Sequence, residues 1–216
     1  MKKEFIKRLI SSIILIPIVL FFIVRGSYLF NSFIILCFFI IAYEWYMMTK
    51  KKFYSILGLI FLIFSFYSIY KLRNDFINDY YYILLITSIC VFTDIGGYLF
   101  GKFFKGPKLT KLSPNKTYAG MIGGYLLSLI LIVLIFSNYF IYEKNILLNF
   151  NLIIFTVIIS TTSQIGDILI SYFKRLSKIK DTGKIIPGHG GLLDRADGLI
   201  FAFPFSYIIL ITDFIS

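Results

Sequence analysis

The sequence predicts an all-α protein that crosses a membrane about seven times, with its N-terminus in the cytoplasm. The chain has 216 residues, 58% of them hydrophobic, and a mean hydropathy of +0.85, whereas soluble domains contain roughly 45–50% apolar residues. Apolar runs of about 18 residues or more recur, each long enough to cross a hydrocarbon core about 30 Å thick. Basic residues are concentrated in alternate loops, as expected for a polytopic membrane protein.

Seven predicted spans account for the apolar runs. They are expected at residues 9–24, 27–48, 53–70, 80–100, 119–138, 147–172 and 198–214. Pro17 and Pro204 fall inside the first and last spans, where a membrane helix tolerates a kink if its neighbours satisfy the freed carbonyls. The chain has no internal repeat and no separate soluble segment. We therefore expect residues 1–216 to form a single transmembrane domain.

The distribution of charge gives an independent check on this count. With the N-terminus in the cytoplasm, the inner segments hold 18 of the 22 lysine and arginine residues. This positive-inside bias also explains the net charge of +11 better than nucleic-acid binding does, so no nucleic-acid partner is expected. The two long polar loops, 101–118 and 173–197, then both lie on the cytoplasmic face, and we expect them to contribute to one site.

The most water-compatible stretch, Ser171–Asp197, combines cations, acids and flexible backbone. It contains four glycines and the only histidine, His189. Its charged residues are Lys174, Arg175, Lys178, Lys180, Asp181, Lys184, Asp194, Arg195 and Asp197. An ordinary cytoplasmic loop needs the positive charge but neither the acids nor the glycines. Together these residue types suit a site for metal and polyphosphate.

Three acids lie near the inner ends of predicted spans. Asp167 shares one helix face with Ser160 and Ser163. Helix–helix hydrogen bonding explains the serines, but a bare carboxylate at that depth costs on the order of 2.5–3.5 kcal/mol, so Asp167 should have a cation and a function. Asp94 lies among glycines that serve either helix packing or a ligand, and Glu44 either pairs with a neighbouring lysine or has a functional role.

The loop at 101–118 carries five lysines and no acid. A lysine-rich inner loop is usually an anchor to anionic lipid, but this one also has Gly-Pro and Ser-Pro turns. It ends in Lys116 and Thr117 just before a predicted helix, an arrangement that suits an anion. No Gly-Lys-Ser/Thr closes a glycine-spaced run, which excludes a P-loop ATPase.

Four blocks of this sequence resemble one known family. They are the pattern from Ser171 to Asp197, Ser163-Gln164-x-Gly166-Asp167, the block from Thr93-Asp94 to Gly101, and Ser113-Pro114-Asn115-Lys116-Thr117. These blocks are similar to the phosphatidate cytidylyltransferases, also called CDP-diacylglycerol synthases. The resemblance is tight over roughly 93–124 and 160–204 and loose over the first three spans. It departs at Tyr118-Ala119-Gly120, where the family usually has Trp-Glu-Gly.

The resemblance implies a nucleotidyltransferase of phospholipid biosynthesis that converts CTP and phosphatidate to CDP-diacylglycerol and diphosphate. It implies a multi-pass protein of the inner (cytoplasmic) membrane, active on the cytoplasmic side, with phosphatidate entering from the inner leaflet. It also implies Mg²⁺, with Asp167 and Asp194 as ligands, and leaves open a second cation and a homodimer.

The resemblance assigns roles to residues of both loops. The expected catalytic residues are Asp167, Lys174, Arg175, Asp194, Arg195 and Asp197. The expected substrate-binding residues are Asp94, Lys116, Ser171, Lys180, Asp181, Gly188, His189, Gly190 and Gly191. Asp197 shares the metal or fixes Arg195, and the glycines let backbone amides approach the triphosphate. The nearest alternative is a CTP-dependent lipid kinase. A cation-coupled transporter predicts inverted repeats or broken helices, which the sequence does not show.

Overall fold

The computed structural model describes residues 2–50, 52–75, 80–110, 113, 116–144, 150–186, 188 and 190–212, and their side chains except those of 2–13 and 136–144. Over these residues the protein is all-helical, which confirms the predicted fold class. Its helices are α1 (Lys2–Arg25), α2 (Ser27–Thr49), α3 (Tyr54–Asn74), α4 (Tyr81–Phe104), α5 (Tyr118–Lys144), α6 (Phe150–Leu176) and α7 (Leu193–Ile211).

These helices follow the apolar runs of the sequence, and each predicted span overlaps one of them. Within the described residues, five helices are long and apolar enough to cross a membrane: α2, α3, α4, α6 and the Tyr118–Ile135 part of α5. The described apolar part of α1 is the shorter Ile14–Arg25. The protein is therefore a multi-pass membrane protein, and the orientation of its N-terminus stays a prediction.

The chain forms two compact units, unit 1 (Met1–Ile83 and Tyr172–Asp197) and unit 2 (Leu84–Ser171 and Gly198–Ser216); the single domain stays a prediction. In unit 1, the C-terminal end of α2 packs tightly against α3. The Trp45 indole donates from Nε1 to the carbonyl oxygen of Ser55 (3.0 Å). A Cβ at Gly58 would lie 2.0 Å from the same indole ring. Since only glycine leaves room for the ring, α3 fixes the end of α2 on which Trp45 lies.

Close backbone contact between α4 and α5 characterises unit 2. A Cβ at Gly96 would lie 2.4 Å from the carbonyl oxygen of Gly123, which is too close for any other residue. The hydroxyl of Thr93 on α4 donates to the hydroxyl of Ser160 on α6 (2.8 Å). Gly96 therefore serves helix packing, and Ser160 makes the interhelical hydrogen bond expected of the polar face of α6.

Candidate active site

Asp194 organises the polar loop of unit 1 that follows α6. It lies in the first turn of α7, and its side chain is 4% exposed. Lys174 donates from Nζ to Oδ1 (2.9 Å). Oδ2 accepts hydrogen bonds from the backbone amides of Thr182 (2.8 Å) and Gly191 (2.9 Å), and the Thr182 hydroxyl lies 3.1 Å away. One carboxylate thus joins the end of α6, the middle of the loop and the start of α7.

The charge of Asp194 is stabilised despite its burial. Burial alone raises the pKa of a carboxyl group because it disfavours the charged form. Here the hydrogen bond from Lys174 and the two backbone amides of Gly191 and Thr182 outweigh that effect, and the pKa of Asp194 is lowered from its usual 3.8. The Asp194 carboxylate is therefore kept ionised beside Lys174, as a preorganised electrostatic site requires.

Glu44 is a second buried carboxylate of unit 1, near the end of α2, and its side chain contacts the same loop. Its Oε1 accepts from the backbone amide of Leu192 (3.0 Å), and Oε2 accepts from that of Leu193 (2.8 Å). The Thr182 hydroxyl lies 3.0 Å from Oε2 and 3.1 Å from Asp194 Oδ2. Because a hydroxyl has one proton, Thr182 donates to one carboxylate at a time and links the two.

The loop glycines make room for these acids. A Cβ at Gly191 would lie 2.4 Å from Glu44 Oε2, and one at Gly190 would lie 2.7 Å from Asp194 Oδ2. Gly188 and Gly190 also have positive φ angles, 79° and 92°, which glycine adopts without strain. The amide of Gly190 donates to the carbonyl of Ile186 (3.2 Å). The amides of Gly190 and Gly191 therefore already bond within the loop; their approach to a triphosphate stays a prediction.

Unit 2 contains its own acid–base pair. Lys116 forms a salt bridge with Oδ2 of Asp167, and the two side chains are 23% and 30% exposed. The Ser171 hydroxyl, one turn further along α6, donates to Oδ1 of Asp167 (3.4 Å). Asp167 therefore has the cationic partner that its position near the inner end of a membrane span predicted.

The backbone around Lys116 is fixed by its neighbours. The Lys116 amide donates to the carbonyl of Ser113 (3.0 Å), and the Leu109 amide donates to the carbonyl of Lys116 (2.8 Å). Thr117 then caps α5, since its hydroxyl accepts from the amide of Gly120 (3.0 Å). Lys116 is thus held by backbone hydrogen bonds directly before a helix.

The other predicted residues lie around these pairs. Arg175 is exposed, and its guanidinium donates to the carbonyl of Ile179 (3.3 Å). Also exposed are Asp94, Lys180, Asp181, Gly188 and Arg195. Asp197 is half-buried in the first turns of α7. His189 lies outside the described residues. The exposed cations of the loop have long side chains whose charged ends can reach an anionic ligand.

The acids can be tested for their fit to Mg²⁺. In the described part of the chain, no three acidic, histidine or cysteine side chains form a metal cluster. Mg²⁺ needs none, because one or two carboxylates and substrate phosphates commonly complete its octahedron. Asp167 is accessible enough to serve. In Asp194, Oδ2 is saturated by its donors, whereas Oδ1 accepts from Lys174 and keeps one lone pair. Each aspartate can thus offer one oxygen.

Sequence reasoning missed Thr182 and left the role of Glu44 undecided. Thr182 stands at an unassigned position of the loop pattern, and a threonine among lysines carries no signal of its own. Glu44 did carry a signal, since an acid at the end of an apolar span requires a partner. Its partners are backbone amides 148 and 149 residues away, which no local spacing identifies.

The fold and these residues identify the class of protein as a multi-pass membrane enzyme. A lysine–aspartate pair in each unit suits anionic substrates. The model of the cytidylyltransferase family matches residues 6–87 and 59–212. The chain belongs to this family, whose members are nucleotidyltransferases.

Curated relatives match most of the chain. A phosphatidate cytidylyltransferase of Rickettsia felis is 35% identical over 224 residues, covering 97% of this chain and 94% of the relative. That of Rickettsia bellii is 34% identical over 215 residues, covering 96% and 91%. That of Staphylococcus saprophyticus is 35% identical over 190 residues, covering 84% and 69%. The matches extend over both units, and they confirm the family that the sequence blocks predicted.

Proposed function

We propose that this protein is a phosphatidate cytidylyltransferase, which forms CDP-diacylglycerol and diphosphate from CTP and phosphatidate in phospholipid biosynthesis. The observation that carries this function is the match to relatives of that name over nearly the whole chain. The lysine–aspartate pair of each unit agrees with it, because both substrates are polyanions.

The reaction is a displacement at phosphorus. A phosphate oxygen of phosphatidate attacks the α-phosphorus of CTP, and the bond from that phosphorus to the oxygen shared with the β-phosphorus breaks. Diphosphate leaves with the bonding electrons, so no oxidant or reductant is needed. Repulsion between the two anions is the first barrier, and catalysis of such transfers is mostly positioning and charge stabilisation.

The cations of unit 1 suit the nucleotide phosphates. Lys174 is held at a fixed point by Asp194, so its charge needs little reorganisation during the reaction. Arg175 and Arg195 are exposed and can bind phosphate oxygens in a bidentate manner. In unit 2, Lys116 supplies a further cation, which binding of a phosphate would draw from Asp167.

Mg²⁺ remains part of this proposal, with Asp167 and Asp194 offering carboxylate oxygens. When bound, it would neutralise phosphate charge and polarise the leaving diphosphate. The support is the chemistry of the two side chains: one is accessible, and the other is kept ionised by its donors.

The location also belongs to the proposal. The positive-inside distribution of lysine and arginine supports a location of the loops at 101–118 and 173–197 on the cytoplasmic side of the inner membrane. CTP is dissolved in the cytoplasm and phosphatidate is held in the bilayer. An active site in cytoplasmic loops at the inner leaflet has access to both.

The test is an assay of purified protein in detergent–lipid micelles with phosphatidate, Mg²⁺ and CTP labelled in the cytidine ring or in the γ-phosphate. We expect cytidine label in the lipid, and loss of this label when Mg²⁺ is chelated. Asp167→Asn should raise the Mg²⁺ concentration needed for half-maximal transfer. Asp75→Asn removes an exposed acid paired with Lys71 and should behave like the wild type. Label from the γ-phosphate in lipid would instead make the protein a lipid kinase and overturn the proposal.

A further inference from the structure

Glu44 is an acid of unit 1 to which the proposed chemistry gives no task. Its side chain is buried, with 2% of the residue exposed. A buried carboxylate is costly unless its oxygens are hydrogen-bonded, and here two backbone amides and the Thr182 hydroxyl satisfy them. Thr182 and Leu192 belong to the loop between α6 and α7, and Leu193 is the first residue of α7. The carboxylate of α2 therefore binds the loop rather than solvent or a ligand.

Two of these bonds cap a helix. The first backbone amides of a helix have no partner within it and carry partial positive charge. A side chain just before the helix usually satisfies them. At α7 the cap comes instead from Glu44, 149 residues earlier than Leu193. The start of α7, and Asp194 in its first turn, are thus tied to α2.

The two loop glycines at 183 and 191 fit the same carboxylate. A Cβ at Gly183 would lie 2.5 Å from Glu44 Oε1, and one at Gly191 would lie 2.4 Å from Oε2. No positive φ is involved at either residue, so alanine is excluded there by space alone. The neighbouring Trp45 packs edge-to-face on Phe173 at 5.1 Å. The end of α2 therefore contacts the C-terminal part of α6 through Phe173 and the loop at Gly183 and Gly191.

We infer that Glu44 is a positioning residue, whose carboxylate fixes Thr182 and the backbone amides of Leu192 and Leu193 in the conformation that holds the Lys174–Asp194 pair. It acts on the reaction only through that pair. The kinetic part of this inference rests on the proposed function. A loosened loop populates the binding-competent conformation less, and the apparent affinity for the nucleotide falls by the same fraction.

Glu44→Gln is the sharpest variant because it keeps the volume and removes one acceptor. Either orientation of the new amide places its NH₂ group against a backbone N–H of Leu192 or Leu193. Thr49→Val is the matched control. Thr49 is a buried residue of the same helix, and its hydroxyl is hydrogen-bonded to the carbonyl of Trp45 and to Ser55, which lie on α2 and α3 rather than on the loop.

Hydrogen exchange of the micellar protein gives a readout that needs no activity. In Glu44→Gln the amides of Thr182, Gly191, Leu192 and Leu193 should exchange about tenfold faster or more, because the opening of this segment alone becomes easier. In Thr49→Val these amides should keep their wild-type rates. Unchanged rates in Glu44→Gln, or equal acceleration in both variants, would overturn the inference.

A double-mutant cycle tests the contact itself. Gly183→Ala should lower the melting temperature because of the clash with Glu44 Oε1. In a Glu44→Ala background that clash is gone, so the combined loss should be smaller than the sum of the single losses. The losses in melting temperature caused by Thr49→Val and Gly183→Ala should be additive. Additive losses for the Glu44 and Gly183 changes would contradict the assigned contact.

Steady-state kinetics complete the test. Glu44→Gln should raise the KM for CTP about tenfold and change kcat and the KM for phosphatidate by much less. An unaltered KM for CTP with a lowered kcat would overturn the kinetic part. If the wild type transferred no cytidylyl group, the proposed function would fail, while exchange rates and the melting cycle would still decide whether Glu44 positions the loop.

Discussion

The two lysine–aspartate pairs of this molecule differ in how firmly they are held. In unit 1, Lys174 and Asp194 are 12% and 4% exposed, and Asp194 accepts from further donors of the loop. In unit 2, Lys116 and Asp167 are 23% and 30% exposed, and Asp167 also accepts a hydrogen bond from Ser171, at 3.4 Å. The first pair is part of the structure of its loop, whereas the second can open without leaving a buried charge.

This difference separates two tasks that similar residues perform. Breaking a buried pair leaves an uncompensated charge and costs about 3–5 kcal/mol, so the unit 1 pair maintains one geometry. A fully exposed pair contributes about 0–1 kcal/mol. The half-buried unit 2 pair is closer to that case than the unit 1 pair is, so it can exchange its partner for a ligand at a lower cost. A substitution in the unit 1 pair should therefore lower stability and activity together, whereas one in the unit 2 pair should lower activity with little change in stability.

The largest effect is expected from Asp194→Asn. One orientation of the asparagine amide points its NH₂ group at Lys174, and the other points it at the amides of Thr182 and Gly191. The variant should lose about 3–5 kcal/mol of stability. Its rate of cytidylyl transfer should fall by about 1,000-fold. Thermal unfolding and the cytidine-label assay measure the two losses, with Asp75→Asn as the control. Undiminished turnover would refute both the metal role and the organising role of Asp194.

Lys116→Met should separate activity from stability. Asp167 lies near the inner end of its span, where a bare charge costs less than at the bilayer centre, and both side chains of the pair are partly exposed. Loss of the salt bridge should therefore change stability by about 1 kcal/mol. Cytidylyl transfer should still fall by about 100-fold, because a cation opposite developing phosphate charge is removed. Lys71→Met, which breaks the exposed pair with Asp75, is the matched control and should affect neither quantity. A large loss of stability in Lys116→Met would erase the contrast between the pairs.

The pH dependence of unfolding sharpens the comparison further. The pKa of Asp194 is lower in the folded protein than its usual 3.8, so the ionised form stabilises the fold. That stabilisation is complete above about pH 4 and is lost as pH falls through the lowered folded value. The difference in unfolding free energy between the wild type and Asp194→Asn should therefore shrink with acidification below pH 4. A difference independent of pH down to 3 would show that the charge of Asp194 contributes no stability.

The sequence predicted one of these pairs better than the other. Seven helices and the cationic partner of Asp167 follow from span length and from the cost of a carboxylate at membrane depth. The prediction that Asp194 is a site residue followed from its place in the loop pattern. The bonds that hold it did not, because they run through the backbone amides of Thr182 and Gly191 and through Glu44 on a distant helix. Backbone donors leave no trace in residue type, so loop geometry was beyond sequence reasoning.

The smallest expected effect concerns how each unit starts a helix. Thr117 caps α5 from the adjacent position, whereas Glu44 caps α7 from another helix. Thr117→Ala should cost about 1 kcal/mol, and Thr117→Ser should restore it, since serine presents the same hydroxyl. Because Thr117 lies next to Lys116, the alanine variant should also lower cytidylyl transfer a few-fold through a frayed turn. Thermal unfolding of the alanine and serine variants measures the cap. A loss of stability in Thr117→Ala as large as that in Asp194→Asn would mean that α5 depends on its cap as strongly as the loop of unit 1 depends on Asp194. The proposed division between a rigid pair in unit 1 and an adaptable pair in unit 2 would then not hold.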